Sequence, residues 1–203
     1  VQAKKTDSLQ LLTVPVYRGE PRYHSYIIVP QNSLYKNLSD LEGKIFAFSD
    51  PDSNSGFLYP LSLLSENNKK PESYFRQTFF TFNHAETIQA VSEQVADGGA
   101  VDSYIWEYLA IFSPEITEKT RIIKTSPGFG FPPIVSRSGV NSQTVKHMKT
   151  TLENMNQDLA GKVLLEQLKL DDFGDFSDSL FSEIRAMVKT VQNSGLTFLP
   201  LPE

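Results

Sequence analysis

The 203-residue chain contains no cysteine, which excludes disulfide bonds, thiolate nucleophiles and cysteine-ligated zinc. Histidine is scarce, with three residues, and no two histidines have the spacing of an HExxH metal site. No glycine-rich stretch matches a phosphate-binding P-loop or a dinucleotide fingerprint. No apolar run reaches the roughly 18 residues that a membrane-spanning helix needs. We therefore expect neither a metal nor a cofactor.

Positive charge is also limited, because 19 basic residues face 24 acidic residues and the formal net charge is −5. Nucleic-acid-binding proteins usually carry a basic face, so nucleic acid is not an expected partner. Hydrophobic residues make up 39% and charged residues 21%, as in ordinary soluble globular proteins. An anionic ligand stays compatible with this balance, because a few local donors can outweigh a modest global charge.

Apolar runs and periodicity predict alternating strands and helices. The predicted strands are residues 9–17, 23–29, 45–48, 78–82, 100–102, 121–124 and 133–136. The predicted helices are residues 57–64, 84–95, 104–112, 144–159, 161–168 and 179–191. This order favours an α/β fold with parallel strand pairs. The helical end of the chain has little predicted sheet to cover, so we expect that sequence belonging to this domain precedes Val1.

The polar stretch at residues 49–56 (SDPDSNSG) joins a predicted strand to a predicted helix. Ser53 or Asn54 can serve as the N-cap of that helix. The first backbone N–H groups of a helix have no intrahelical partner, and the helix dipole favours negative charge there. The stretch can therefore bind an oxyanion. The alternative is a serine that only caps a helix.

His84 stands at the start of another predicted helix, directly after a strand. In a doubly wound sheet, helix starts lie at the carboxyl ends of the strands, where ligands bind. His84 could therefore face the same crevice as Ser53 and donate to an anion. The alternatives are a second N-cap or a surface histidine, and Asn83 could supply the cap instead.

A hydrolytic triad of Ser53, His84 and Asp102 can be drawn from the sequence, but it is disfavoured. The chain has no G-x-S-x-G nucleophile elbow, and three such residues are easily found among 203. Glu107 lies within an aromatic cluster and is either a solvated residue or a pocket carboxylate. We expect no enzymatic activity.

Five stretches, in this order, resemble the PhnD-like family of ABC-transporter binding proteins for phosphate, phosphite and phosphonate. The stretches are 23–29 (YHSYIIV), 38–48 (LSDLEGKIFAF), 50–56 (DPDSNSG), 84–102 (from His84 to Asp102) and 126–133 (SPGFGFPP). The fourth resembles the family's "H…v..G.vD" pattern. The resemblance covers about residues 1–140, and the order of the five motifs is more specific than any one of them.

The resemblance implies a type 2 periplasmic-binding-protein fold, in which two α/β lobes joined by crossing strands hold a ligand in their cleft. Residues 1–24 and 131–203 would form lobe one, whose N-terminal part is missing, and residues 25–130 would form lobe two with the anion loop. The implied ligand-binding residues are Tyr23, Ser53, Asn54, Ser55, Gly56, His84 and Glu107. Asn54 replaces the family's usual threonine, and an amide can still donate.

Glu107 falls near the carboxylate with which the family holds an aminoalkyl group. The aspartate that partners it in the family is absent, and Phe131 and Pro132 stand in its place. This departure disfavours an aminophosphonate and favours a smaller or more apolar ligand.

The resemblance also implies a role and a location. The chain would be an extracytoplasmic solute-binding protein, periplasmic and either soluble or lipid-anchored, that captures a small phosphorus oxyanion and delivers it to an ABC permease. The alternative is a ligand-sensing domain of a membrane histidine kinase or cyclase, which would keep the same binding site.

Overall fold

The computed structural model describes residues 9–195. The strands are β1 (Leu9–Val16), β2 (Arg22–Tyr23), β3 (Ser25–Pro30), β4 (Ile45–Phe48), β5 (Gln77–Phe80), β6 (Gly98–Asp102), β7 (Thr120–Thr125), β8 (Phe129–Gly130), β9 (Ile134–Arg137) and β10 (Asp172–Gly174). The α-helices are α1 (Tyr59–Ser65), α2 (Pro71–Tyr74), α3 (His84–Ser92), α4 (Ser103–Phe112), α5 (Pro114–Thr117), α6 (Ser142–Glu153), α7 (Leu159–Leu168) and α8 (Ser182–Asn193). A π-helical turn, Asn54–Leu58, leads into α1, and 3-10 turns occur at Leu38–Leu41, Met155–Gln157 and Asp178–Phe181. Within residues 9–195, no helix has both the length and the apolar character to cross a membrane.

The described residues divide into two compact units. Unit 1 contains the chain up to Tyr23 and Gly128–Arg185, and unit 2 contains His24–Pro127 and the chain from Ala186 onward. The lobes predicted above, 1–24 with 131–203 and 25–130, stay a prediction about the whole domain. Residues 1–8 and 196–203, the two ends of predicted lobe one, lie outside the described residues.

Unit 2 is built on a five-stranded sheet with the order β5-β4-β6-β3-β7. Strand β4 pairs in parallel with both β5 and β6, whereas β3 pairs antiparallel with β6 and β7. The predicted α/β arrangement with parallel pairs is therefore confirmed. Because β4, β5 and β6 run in the same direction, their carboxyl ends lie at one edge of the sheet.

Both faces of β4 are buried, as expected for a strand flanked by parallel neighbours. On one face the Phe46 ring stacks on Phe75 at 4.6 Å, and Phe48 meets Phe57 edge-on at 5.0 Å. On the other face Ala47 belongs to the same buried cluster as Val91 of α3. Helices on both sides therefore hold β4 in place, which fixes where its carboxyl end lies.

Unit 1 has a three-stranded antiparallel sheet with the order β10-β1-β9 and a separate ribbon formed by β2 and β8. Phe173 of β10 lies opposite Pro15 of β1 and is buried. Helix α7 leaves several apolar side chains exposed, with Leu159 81% and Leu164 51% accessible.

Two sequence predictions about strands are wrong. The predicted strand at 23–29 is interrupted at His24. The His24 N–H donates to the Ser103 hydroxyl at 2.9 Å, and the His24 carbonyl accepts the Ser103 N–H at 2.9 Å. Tyr23 pairs with Phe129 of unit 1, whereas Ser25 pairs with Asp102 of unit 2, so the pairing partner changes at this point. The end of the chain was predicted to be purely helical, but it contains strand β10. This strand was missed because three residues are too few to show the alternation of apolar and polar side chains.

Candidate functional site

A helix or helical turn begins directly after each of the three parallel strands of unit 2. The N-caps are Ser53 after β4, Asn83 after β5 and Asp102 after β6. In each case a side-chain oxygen accepts a backbone N–H of the first turn. The sheet order β5-β4-β6 places these starts side by side, which is the arrangement that binds ligands in open α/β sheets.

The turn after β4 is ordered by its own polar groups. The Asp52 N–H donates to Asp50 Oδ1 at 2.8 Å, and the Ser53 N–H donates to the Asp50 carbonyl at 3.0 Å. The Leu58 N–H then reaches the Ser53 carbonyl at 3.0 Å, five residues back, which defines a π-helical turn. Such turns are rare and often mark functional sites. The predicted helix at 57–64 therefore begins earlier, at Asn54.

Gly56 allows this turn to pack closely against the end of β4. A Cβ atom at Gly56 would lie 2.5 Å from Ser49 Cβ and 3.1 Å from His84 Cε1. Ser49 cannot easily move, because its buried hydroxyl donates to the Ala100 carbonyl at 2.8 Å. Gly56 is thus required for the close approach of the turn, the strand end and His84.

His84 connects two of the three helix starts. Its Nδ1 accepts the Asp102 backbone N–H at 3.1 Å, and its Nε2 lies 3.3 Å from Ser53 Oγ. A nitrogen that accepts an N–H carries no proton of its own, so the neutral ring carries its proton on Nε2. Burial lowers the pKa of His84 from 6.5 to about 4, against an opposing effect of Asp50. His84 is therefore neutral at pH 7 and donates from Nε2 toward Ser53.

The Ser53 hydroxyl oxygen accepts from two groups. The Gly56 N–H donates to it at 2.9 Å, and the Nε2 proton of His84 is directed at it from 3.3 Å. A hydroxyl oxygen has two lone pairs and one proton. With its lone pairs engaged, Ser53 keeps its proton as a donor toward a further acceptor.

Ser55 is held from behind by β3. Its carbonyl accepts the Ser25 hydroxyl at 2.7 Å, and the Ser25 N–H bonds the Ser126 hydroxyl at 2.8 Å. Ser25 and Ser55 are both buried. The bond to the Ser55 carbonyl thus anchors the first turn of the helix and fixes the orientation of its backbone N–H groups.

Asp102 is the buried acid of the site. Its Oδ1 accepts the Tyr104 N–H at 2.8 Å and the Ile105 N–H at 3.4 Å. Burial raises the pKa of Asp102 from 3.8 to about 7, and Glu107 adds to this increase, whereas the two amide bonds oppose it. Desolvation outweighs the helix cap, so a substantial share of Asp102 is protonated at neutral pH.

The triad drawn from the sequence is not formed. In a catalytic triad the aspartate carboxylate accepts the proton on Nδ1 of the histidine. Here the backbone N–H of Asp102, and not its carboxylate, bonds His84 Nδ1. The histidine is therefore in the tautomer that donates toward Ser53 and cannot take up its proton.

Glu107 lies on α4, half-buried, and accepts the Tyr26 hydroxyl at 2.5 Å. The Tyr26 ring also meets Trp106 edge-on at 6.1 Å. Glu107 is thus a positioned carboxylate and not a freely solvated residue. Its contact with a ligand stays a prediction.

Tyr23 belongs to unit 1, where it is buried against Phe129 and Phe131 with ring centroids 6.3 and 5.7 Å away. Its predicted contact with a ligand stays a prediction. The same holds for the ligand contacts of Ser53, Asn54, Ser55, Gly56 and His84. The structure brings Ser53, Gly56 and His84 together, and the Gly56 N–H donates a hydrogen bond to the Ser53 hydroxyl.

Sequence reasoning did not find the serines that support the site. Ser25, Ser49 and Ser103 are buried and bond backbone groups of neighbouring elements. Their only sequence signal is their position: Ser25 is the first residue of β3, and Ser49 and Ser103 directly follow β4 and β6. Isolated serines at strand ends are too common for that signal to be specific.

Comparison with known proteins places these features in a family. The sequence model of the family described as "ABC transporter, phosphonate, periplasmic substrate-binding protein" matches residues 1–181. The phosphonates-binding periplasmic protein of Escherichia coli (strain K12) is 30% identical over 188 residues, which cover 88% of this chain and 55% of that protein. The chain therefore spans about half the length of this relative.

Two solved structures have the same fold. A binding protein component of an ABC phosphonate transporter from Pseudomonas aeruginosa superposes with a TM-score of 0.85 at 22% identity, covering 94% of this chain and 65% of that one. PhnD1 from Prochlorococcus marinus (MIT 9301), solved in complex with methylphosphonate, superposes with a TM-score of 0.82 at 18% identity, covering 94% and 74%. At these identities the likeness concerns the fold, which confirms the predicted periplasmic-binding-protein type.

Proposed function

Because the chain belongs to the family of periplasmic substrate-binding proteins of phosphonate ABC transporters, we propose that it captures a phosphorus oxyanion for such a transporter. The candidate ligands are phosphate, phosphite and small phosphonates. The protein acts outside the cytoplasm, in the periplasm or an equivalent compartment, and its macromolecular partner is an ABC permease. It binds its ligand without transforming it.

The observation that carries this proposal is the proton left on Ser53. Its oxygen already accepts from Gly56 and is approached by His84 Nε2, so the hydroxyl donates outward. The backbone N–H of Ser55, in the first turn of the same helix, has no intrahelical partner. Hydrogen bonds from such groups to a charged oxygen are shorter and stronger than bonds between neutral groups.

The hydrogen-bond donors of this candidate site are uncharged groups. Among the residues that the structure describes, no Lys or Arg side chain is hydrogen-bonded to Ser53, His84 or Asp102, and His84 is itself neutral at pH 7. An anion would therefore be held by hydroxyl and backbone dipoles and not by an ion pair. A fixed set of dipoles favours binding at a helix start.

The absence of an oriented base supports binding over catalysis. Ser53 could act as a nucleophile only if His84 accepted its proton. His84 Nδ1 accepts the Asp102 N–H, which leaves the proton on the nitrogen that faces Ser53. In this tautomer the pair holds an anion and does not activate a hydroxyl.

A departure from the family's pattern favours a ligand with a small, uncharged substituent. Phe131 and Pro132 stand where the family's second carboxylate is expected. The relative from Prochlorococcus marinus, solved with methylphosphonate, supports the same class of ligand. We therefore rank phosphite and methylphosphonate above an aminoalkylphosphonate.

Isothermal titration of the full chain tests this proposal. Phosphate, phosphite, methylphosphonate and 2-aminoethylphosphonate are titrated in parallel, with sulfate as a tetrahedral anion that lacks phosphorus. We expect binding of at least one phosphorus oxyanion, with phosphite or methylphosphonate the tightest. The absence of both heat and a thermal shift with all four would contradict the proposal, and tightest binding of 2-aminoethylphosphonate would contradict the ranking.

A further inference from the structure

Asp102 joins the candidate anion site through a single side chain. Its backbone N–H bonds His84 Nδ1 at 3.1 Å, and His84 Nε2 lies 3.3 Å from the Ser53 hydroxyl that donates to the ligand. The Asp102 residue is only 7% exposed. Asp102 is thus a buried carboxyl-bearing residue that one hydrogen-bonded side chain, His84, joins to Ser53, where the anion is proposed to bind.

The surroundings of Asp102 supply little positive charge. The titratable groups on the elements around it are Asp50 and Asp52 in the β4–α1 turn, His84 and Glu86 on α3, His24 and Tyr26 at the start of β3, Tyr104, Glu107 and Tyr108 on α4, and Lys124 on β7. Lys124 pairs with Ile27 of β3, which lies between β7 and β6, and it is exposed. No cation among the described residues forms an ion pair or a hydrogen bond with the Asp102 carboxyl group.

We propose that Asp102 takes up a proton when an oxyanion binds at Ser53, so that the site captures the anion and a proton together. This inference rests on the proposed function of the same site. It makes Asp102 a residue that selects for the charge state of the complex without touching the ligand.

The geometry says where the proton resides. Asp102 Oδ1 accepts two N–H groups of α4 and remains an acceptor, so the proton belongs on Oδ2. No bond other than this O–H forms or breaks, and the proton comes from the solvent. The α4 cap survives protonation, because a carbonyl oxygen accepts an N–H as a carboxylate oxygen does.

Electrostatics gives the direction of the coupling. The pKa of Asp102 is already raised to about 7 by burial, so near neutral pH the group changes charge easily. A bound anion adds a like charge in a poorly solvated region, and a like charge disfavours the ionised carboxylate. Binding thus raises this pKa further, and by linkage the affinity for the anion falls as the pH rises above about 7.

The number of protons taken up on binding tests the proposal. Methylphosphonate is titrated into the wild-type protein at pH 8 in two buffers that differ in ionisation enthalpy, and the affinity is followed from pH 6 to pH 9. We expect an uptake that approaches one proton per ligand and an affinity that falls by up to about tenfold per pH unit above pH 7.

Asp102→Asn is the matched variant, because asparagine caps a helix as well as aspartate does but cannot take up a proton. It should bind methylphosphonate with little uptake and a flatter pH profile. Asp102→Ser, with another good N-cap, serves the same purpose if the asparagine variant does not fold.

Several outcomes would overturn the inference. Binding by the wild type without proton uptake would do so, whatever the variants show. An unchanged uptake in the variants would assign the proton to the ligand or to another group. If no phosphorus oxyanion binds to the wild type at all, the proposed function fails first, and this inference fails with it.

Discussion

The helix starts after β4 and after β6 stand side by side at one sheet edge, yet their caps differ in chemistry. Ser53 caps the first with a hydroxyl that accepts the Gly56 N–H. Asp102 caps the second with a carboxyl that accepts the Tyr104 and Ile105 N–H groups. His84 lies between them and bonds both.

The difference shows how two equivalent positions of a fold take different roles. A hydroxyl can accept from the helix and still donate to a ligand, whereas an ionised carboxylate can only accept. The start at Ser53 is therefore suited to contact an anion. The start at Asp102 repels an anion unless it is protonated, so it suits a position behind His84.

The largest expected effect comes from making the first cap like the second. Ser53→Asp keeps a good N-cap, so the fold should lose at most about 1 kcal/mol. It replaces the donor by a negative charge that repels the ligand, so phosphite and methylphosphonate should bind at least about a hundredfold more weakly. Titration calorimetry together with a urea midpoint separates the two effects.

The control for this change is Ser177→Asp, at another serine that caps a helical turn, in unit 1. It makes the same chemical change at a residue that is not among the predicted ligand-binding residues and should leave the affinity unchanged. Binding by Ser53→Asp within tenfold of the wild type would remove Ser53 from the site.

A smaller effect is expected on stability as a function of pH. The pKa of His84 is lowered from 6.5 to about 4. Its contribution to the unfolding free energy is therefore fully present above pH 6.5 and is lost as the pH falls through 4. The pKa of Asp102 is raised from 3.8 to about 7, so its contribution is present below 3.8 and is lost as the pH rises through 7. Between about pH 4 and 6.5, His84 makes the unfolding free energy rise with pH and Asp102 makes it fall, so the two contributions cancel.

Asp102→Asn removes the Asp102 contribution to the pH dependence of the unfolding free energy and leaves that of His84. The unfolding free energy of this variant, relative to that of the wild type, should then rise with pH between 4 and 6.5 by up to about 1.4 kcal/mol per pH unit. Urea denaturation at several pH values measures this, and the wild-type protein is the reference for all other titrating groups. Parallel curves for the two proteins would show that the buried carboxyl group titrates in the same way in the folded and unfolded states.

Much of unit 2 could be predicted from local sequence patterns. The bounds of β4 were predicted correctly, because four apolar residues stand between Gly43-Lys44 and a polar turn. The start of α3 at His84 was also predicted, since Asn83 precedes it and apolar residues follow at helical spacing. The family followed from the order of motifs along the chain.

The features that sequence patterns missed depend on contacts between distant residues. The tautomer of His84 follows from the Asp102 N–H, 18 residues away. The engagement of Glu107 by Tyr26 joins residues 81 positions apart. The high pKa of Asp102 follows from burial, which is a property of the packed unit and not of its segment. Local patterns therefore named candidate site residues but could not give their protonation states.

The central claim is that the helix start at Ser53 holds a phosphorus oxyanion, and amide NMR during a titration with methylphosphonate tests it most directly. The largest shifts are predicted for the backbone N–H groups of Ser55, Gly56 and Asp102, because the last two bond Ser53 Oγ and His84 Nδ1. The Gly43 N–H, which bonds the Tyr74 carbonyl before β4 begins, should hardly move. Saturable shifts that leave Ser55, Gly56 and Asp102 unchanged would contradict the account.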